Sequence, residues 1–247
     1  MKTIAILQAR MGSSRFPGKI LAPLTGKPIL EVICQRMKNT GFDDLWLATT
    51  KLEADNVTAE WGHALGMKVY RGEVEDVLSR FTAILQNTTA DWIVRFTADN
   101  PFTGIELPSM LIQTAATCPP GIEMIKFQDP RTVPLGFGAS IVRASALQNA
   151  EDAIPPEQSY HRCHVTSWTG KHGKLLQIPY PKHWPDHNDW RWTVDTQEDY
   201  VMARKAFEAF GPDWQTLGYH EMARILEERP DITRINQTIQ QKHLVEG

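Results

Sequence analysis

Cysteine is scarce in this chain. Only Cys34, Cys118 and Cys163 occur, too few and too scattered for a disulfide framework or a CxxC metal knuckle, so a reduced, cytoplasmic setting is expected. Long apolar runs are missing too. No stretch approaches the roughly 18–20 residues that a membrane helix needs, and the opening MKTIAILQARMGSS lacks the apolar core and small-residue cleavage site of a secretory signal. No membrane partner is expected. Positive charge is not in excess: 26 Lys plus Arg stand against 29 Asp plus Glu, for a formal net charge of -3. No global basic field recruits nucleic acid, and any phosphate binding must be local. Repeats and low-complexity segments are absent. A hydrophobic fraction of 42% and a charged fraction of 22% exclude a disordered chain, a collagen-like repeat and a coiled coil.

What is present is an alternation of two periods. TIAILQA is a short apolar run that fits a strand buried on both faces. Pro28 then opens ILEVICQRMKN, with Ile29, Val32, Ile33 and Met37 at helical spacing. DDLWLATT predicts a second strand, residues 55–65 a second helix and MKVYR a third strand. EDVLSRFTAILQ predicts a third helix, DWIVRFT a fourth strand and residues 105–117 a fourth helix. This order implies right-handed crossovers and a mostly parallel sheet of an α/β fold. Ligands of such sheets gather at the carboxyl ends of the strands. After Cys118 the pattern loosens. IEMIKF, GASIVR, LLQIPYP and RWTVD predict strands, residues 157–172 a helix, EDYVMARKAFEAF an amphipathic helix and residues 215–228 a last one. The expectation is one domain over residues 1–247 with an inserted, β-rich segment at about 118–190.

Four constellations carry chemistry. QARMGSSRFPGK, residues 8–19, follows the first strand. Its glycines and serines let backbone N–H groups approach an anion, and Arg10, Arg15 and Lys19 add cations suited to a polyphosphate. The spacing is neither GxxxxGK[ST] nor GxGxxG. Asp99, in FTADNPF, ends the fourth strand, where a carboxylate facing a triphosphate calls for a divalent cation between them; the structural alternative is a turn at Asp99-Asn100-Pro101. Asp195, in RWTVDTQEDY, ends another apolar run, just before Thr196, Glu198 and Asp199, which suit a helix cap. RGEVEDVLSRF brings Arg71, Asp76 and Arg80 to the same edge, with Asp76 and Arg80 spaced for an intrahelical ion pair. His161, Cys163 and His164 lack the further ligands of a zinc site, and no GxSxG elbow supports a Ser-His-Asp set.

Read together, these motifs resemble the cytidylyltransferase family that includes the CMP-KDO and CMP-sialic acid synthetases, and most of all its spore-coat-polysaccharide (SpsF-type) branch. The branch motif Q-A-R-M-G-S-S-R-L-P-G-K matches residues 8–19 except at Phe16. R-G-x-x-x-D-V-L-x-R matches residues 71–80, and G-D-C-P-L appears as residues 98–102. P-x-G-F lies at residues 134–137, E-H-V-T appears as residues 163–166, and R-x-T-V-D-T-x-E-D lies at residues 191–199. Ala98, Asn100 and Cys163 depart from the pattern.

The resemblance implies a Rossmann-like fold similar to type A glycosyltransferases and a homodimer, often built through the inserted segment, whose aromatics Trp168, Trp184 and Trp190 suit an interface. It implies transfer of CMP from CTP to the anomeric hydroxyl of a 2-keto sugar acid, with release of pyrophosphate. Arg10, Lys19 and Asp99 then carry the catalysis. Gln8, Ala9, Arg10, Met11, Gly12, Ser13, Arg15, Lys19, Arg71, Asp76 and Arg80 hold the nucleotide. Asp99 and Asp195 hold Mg²⁺, and Phe137, His164 and Arg191 face the acceptor. Two other enzyme classes share the fold: nucleotide-sugar-dependent glycosyltransferases, which call for a DxD motif that Asp99-Asn100-Pro101 does not supply, and sugar-phosphate nucleotidyltransferases, which differ only in the acceptor pocket. A nucleotide-binding protein without turnover is a third reading, disfavoured by the retained Arg10, Lys19, Asp99 and Asp195.

Overall fold

The fold was obtained as a computed structural model and is described for residues 1–38, 40–155 and 157–241. It grows from β1 (Thr3–Gln8), whose alternate residues bury on opposite faces: Ala5 and Leu7 join one core, Ile4 and Ile6 the other, as the period of two requires. A hairpin of β2 (Pro23–Leu24) and β3 (Lys27–Pro28) leads into α1 (Ile29–Met37). Then come β4 (Asp44–Thr50), α2 (Asn56–Ala64), β5 (Lys68–Gly72), α3 (Val77–Leu85), β6 (Trp92–Thr97) and α4 (Glu106–Thr117). β1 pairs in parallel with β4 on one side and β6 on the other, and β4 pairs in parallel with β5. The four carboxyl ends therefore line one edge.

The segment after Cys118 supplies β7 (Met124–Phe127), β8 (Ser140–Arg143) and β9 (Leu175–Ile178), with α5 (Ala144–Ala153), α6 (Ser159–His164) and α7 (Ser167–His172) between the last two strands. These strands extend the same sheet: the seven-stranded order is β5-β4-β1-β6-β8-β7-β9, with β8 antiparallel to both neighbours. The chain ends in α8 (Gln197–Phe210), α9 (Tyr219–Glu227) and α10 (Pro230–Thr233). α3 and α5 cover one face of the sheet, and α1, α4, α8 and α9 the other.

Three expectations are corrected. Residues 157–172 form two short helices rather than one, because Val165 adopts φ +54° between them, a region a β-branched residue enters only under strain. RWTVD joins no sheet; it is an extended segment held by the amide of Trp192 on the Leu135 carbonyl at 2.7 Å and the amide of Val194 on the Asp99 carbonyl at 2.7 Å. Trp168, Trp184 and Trp190 are half-buried rather than presented to solvent. Their rings pack on His172, on Tyr219 and on His187 of the same chain.

One buried cation ties the far layer together. Arg36 donates to the carbonyls of Thr103 at 2.8 Å, Leu217 at 3.1 Å and Phe102 at 3.4 Å, and to that of Trp214. Burial, only partly offset by Glu106, pulls its pKa down to about 10. These carbonyls belong to the loop after β6 and to the turn between α8 and α9, so Arg36 fixes the C-terminal helices against the exit of β6.

Candidate active site

The loop after β1 turns back on itself before α1. Gly18 closes the turn at φ +72°, a conformation that favours glycine, and its amide donates to the Met11 carbonyl at 3.0 Å. Gly12 lies exposed, with open space where a Cβ would stand. The loop is anchored from below by Asp55, 1% exposed, which accepts the Met11 amide at 2.6 Å and the Thr58 hydroxyl at 3.1 Å, and also bonds the Thr50 hydroxyl. Nothing in the sequence around Asp55 distinguishes it from an ordinary helix-start acid, so its role depends on a contact 44 residues away in the chain. Asp55→Ala is expected to cost about 2–4 kcal/mol, because it strands two buried hydroxyls and the half-buried Met11 amide, and to weaken nucleotide binding without touching the ligand. Denaturant unfolding and calorimetry measure the two effects.

Lys19, at the end of this loop, brings the two distant aspartates together. Its ammonium donates to the Val194 carbonyl at 2.8 Å and to Asp195 Oδ1 at 3.0 Å, and lies 3.6 Å from Asp99 Oδ2. The bond from the Val194 amide to the Asp99 carbonyl holds the two backbones side by side. Gly136 permits the approach. Any Cβ there would stand 2.7 Å from the Thr193 amide nitrogen and 2.9 Å from Asn100 Oδ1.

The structural alternatives for these aspartates fall to other residues. Thr196 caps α8 and Asp199 completes the capping box, while the turn after β6 uses the Asn100 side chain on Thr97 Oγ1 at 2.7 Å. Both carboxylates are left facing Lys19. Asp195 Oδ2 also meets Arg15 at 3.1 Å and Arg191 at 2.8 Å. Burial pushes the Asp195 carboxyl up, but Lys19, Arg15 and Arg191 outweigh it and hold it below the usual carboxylate range. Asp199, fully buried, accepts the Asp195 and Thr196 amides at 3.0 and 3.1 Å and grips Arg191 with both oxygens.

The other sequence candidates lie at varying distances from this centre. Arg10 reaches the Val74 carbonyl at 3.3 Å and Glu75 at 3.6 Å. Gln8 accepts from Arg95 Nε at 3.0 Å. Ala9 is buried and its amide bonds the Ala48 carbonyl at 3.2 Å; the Ser13 amide closes on the Met11 carbonyl at 3.0 Å. Arg71 turns to the carbonyls of Thr50 and Leu52, each at 2.8 Å. Asp76 caps α3 through the Ser79 amide and pairs with Arg162 at 2.5 Å. The ion pair that their spacing predicts between Asp76 and Arg80 does not form, and Arg80 turns into the protein instead. Phe137 is buried among Trp184, Trp192 and Tyr219, and the Arg191 guanidinium is engaged by Asp195 and Asp199. His164 lies beside Arg95 on the opposite face of the sheet from Phe137. Sequence reasoning misses Arg95 although it carries a signal, a lone cation inside the apolar run DWIVRFT.

Among the described residues no helix is long and apolar enough to cross a membrane, and no group of three or more His, Cys, Asp or Glu could hold a metal. Asp99 and Asp195, brought together by Lys19, offer hard oxygen donors at the carboxyl edge of the sheet. Such a pair suits Mg²⁺, which takes one or two carboxylates and completes its shell with phosphate and water.

The profile of the family described as cytidylyltransferase matches residues 4–246. The chain belongs to the cytidylyltransferase family. As such it is a CTP-dependent nucleotidyltransferase with a Rossmann-like fold. It is 31% identical over 236 residues to the spore coat polysaccharide biosynthesis protein SpsF of Bacillus subtilis, covering 92% of this chain and 94% of that one. It is 30% identical over 170 residues to the 3-deoxy-manno-octulosonate cytidylyltransferase of Alteromonas mediterranea, covering 65% of this chain and 67% of that one. A solved cytidylyltransferase from Leptospira borgpetersenii superposes with a TM-score of 0.87 at 26% identity, covering 98% of this chain and 100% of that one. Within this family, the loop over residues 8–19 and the Lys19–Asp99–Asp195 centre occupy the carboxyl edge where α/β sheets bind nucleotides.

Proposed function

We propose that this cytidylyltransferase moves CMP from CTP to the hydroxyl of an acidic sugar, a 2-keto sugar acid or a close relative, in the synthesis of a surface polysaccharide or glycan. The observation that carries the reading is the meeting of Lys19, Asp99 and Asp195 beside the loop that follows β1. The names of the Bacillus and Alteromonas relatives favour a polysaccharide product and an acidic acceptor.

In this reading the loop backbone at Gly12 and Ser13 cradles the phosphates, and Arg10, Arg15 and Lys19 offset their charge. The acceptor oxygen attacks the α-phosphorus in line with the departing pyrophosphate and releases its proton as the new P–O bond forms. Lys19 and Arg10 oppose the negative charge that grows on the leaving group. Positioning does most of the work, because phosphoryl chemistry leaves the protein little covalent work. Asp99 and Asp195 would hold Mg²⁺, which when bound neutralises phosphate charge as a Lewis acid. Arg71 and Asp76 as nucleotide contacts, and Phe137, His164 and Arg191 on the acceptor side, belong to the same proposal. So do the homodimer and the acceptor and dimerisation roles of residues 118–190. Arg80, expected at the nucleotide, is buried on α3 and is given to the acceptor side instead.

Calorimetry tests the nucleotide assignment. CTP with Mg²⁺ is expected to bind more tightly than ATP or GTP. Arg10→Ala is expected to weaken CTP by about tenfold or more, since a hydrogen bond to a charged group contributes about 1.5–3 kcal/mol. Equal affinity of wild type and variant would remove Arg10 from the nucleotide site. Pyrophosphate release measured over keto-sugar acids, amino sugars and sugar phosphates identifies the acceptor class.

A further inference from the structure

Arg80 sits on α3 with 2% of its surface exposed, yet its Nε and Nη1 have no hydrogen-bond partner. A buried guanidinium in this state is costly unless something completes it. The nearby carboxylates are occupied elsewhere: Asp55 by Met11, Thr50 and Thr58, and Asp76 by Ser79 and Arg162. The fold also makes room for this side chain. A Cβ on Gly72, at the end of β5, would stand 2.7 Å from Arg80 Cγ.

A second cation faces the same side of the sheet. Arg95 alternates with Trp92, Val94 and Phe96, whose side chains enter the opposite core, so it points toward α3 and α6. It gives its Nε to Gln8, and no carboxylate pairs with it among the described residues. α6, packed on α3, ends at His164, whose Nε2 is buried and also without a partner. The Cys163 thiol beside it lies within electrostatic reach of both guanidiniums. Burial and then Arg10 depress the pKa of Arg80, and burial and then Arg95 that of His164. Asp55 and Asp76 offset part of the burial cost at Arg80, and Asp99 part of it at Arg95, but among the described residues no carboxylate forms an ion pair with either guanidinium. Gln8, which opens the nucleotide loop, touches this cluster directly through Arg95.

We propose that Arg80, Arg95 and His164 form a pocket for the anionic group of the acceptor, a carboxylate or a phosphate, next to the nucleotide loop. The proposal rests on the cytidylyltransferase reading only in calling that anion the acceptor's. An acid group bound there satisfies the orphaned donors and sets the acceptor beside the phosphates held by residues 8–19. It also explains why an arginine is kept where an apolar side chain would pack at lower cost.

The test follows the arginine Nε–H resonances of the full chain by ¹⁵N NMR, with sodium acetate and inorganic phosphate as probes, alone and after saturation with CTP and Mg²⁺. The expected result is a saturable shift at Arg80 and Arg95 that persists when the nucleotide is bound. Tighter acetate points to a carboxylate acceptor and tighter phosphate to a phosphorylated one. In the Arg80→Met variant the shift at Arg95 is expected to weaken by about tenfold or more while the melting temperature rises, because an uncompensated buried charge is gone. An absent shift, or a lower melting temperature with the anion response intact, overturns the pocket. A shift abolished by CTP and Mg²⁺ assigns the anion to the nucleotide's own phosphates and overturns the acceptor assignment. If CTP itself fails to bind, the titration without nucleotide still decides the pocket, and the failure belongs to the nucleotide reading.

Discussion

Lys19→Met is expected to lower turnover by about a thousandfold, the scale seen when one pre-aligned donor is removed from a developing negative charge. The ammonium of Lys19 has two tasks in the resting protein: it neutralises Asp195 at 3.0 Å and Asp99 at 3.6 Å, and it marks where a triphosphate's charge would be met. Methionine keeps the stem and deletes the charge, leaving two carboxylates side by side with one fewer cation. Asp195 still has Arg15 and Arg191, so the fold should lose only about 1–3 kcal/mol, the cost of an unmade charged hydrogen bond. Steady-state pyrophosphate release and thermal melting separate the two effects. Lys19→Arg is the informative companion, because it keeps the charge and changes its shape. If Lys19→Met retained wild-type turnover while melting early, the lysine would be a structural tie between two loops.

The aspartates are expected to behave differently from their neighbour Asp199. Asp99→Asn and Asp195→Asn should each reduce turnover by roughly a thousandfold, corresponding to about 4 kcal/mol of lost transition-state stabilisation. Asp99→Asn should fold with little change in melting temperature, whereas Asp195→Asn should melt earlier, because its carboxylate accepts from Lys19 and Arg191; both should retain measurable affinity for CTP. The structure gives the reason. The cap of α8 is made by Thr196 and Asp199, and the turn after β6 by Asn100, so neither substitution removes a cap or a turn; Asp195→Asn weakens only its pairs with Lys19, Arg15 and Arg191. Asp199→Asn is the contrasting case. Its carboxylate is fully buried and receives Arg191, Asn236 and two backbone amides, and breaking such a buried pair costs about 3–5 kcal/mol. Activity, calorimetry and melting measured on all three variants separate lost chemistry from lost stability. Early melting with near-normal turnover in Asp99→Asn and Asp195→Asn would end the metal-ligand proposal.

The elements that the sequence announces are those built from local periodicity. The short apolar runs of β1 and β6, the apolar stripe of α3 and the cap at Thr196 all arise within one or two turns of chain, so neighbouring residue types suffice to specify them. The loop over residues 8–19 is legible for the same reason, because its glycines, serines and cations are contiguous. RWTVD reads as a sheet strand because its pattern is extended and apolar; that it runs between the Leu135 and Asp99 loops instead depends on partners scores of residues away.

Charge partnership was the part decided only in three dimensions. Asp76 and Arg80 sit one helical turn apart and predict a pair, yet Arg162, 86 residues on, reaches Asp76 first. Arg80 lies buried on the inner side of α3 instead. Asp55 becomes the anchor of the loop over residues 8–19, and Arg95 a cation facing α6, only when the strands lie in register. By itself the sequence determined the layers, the phosphate-suited loop and the two aspartates. Only the tertiary structure decided that one lysine joins those aspartates, and that Arg80 and Arg95, on the other face of the sheet, form no ion pair among the described residues. The physical reason is that hydrophobic burial follows from each residue's own chemistry, whereas an ion pair is settled by which of several competing partners the completed fold brings within reach.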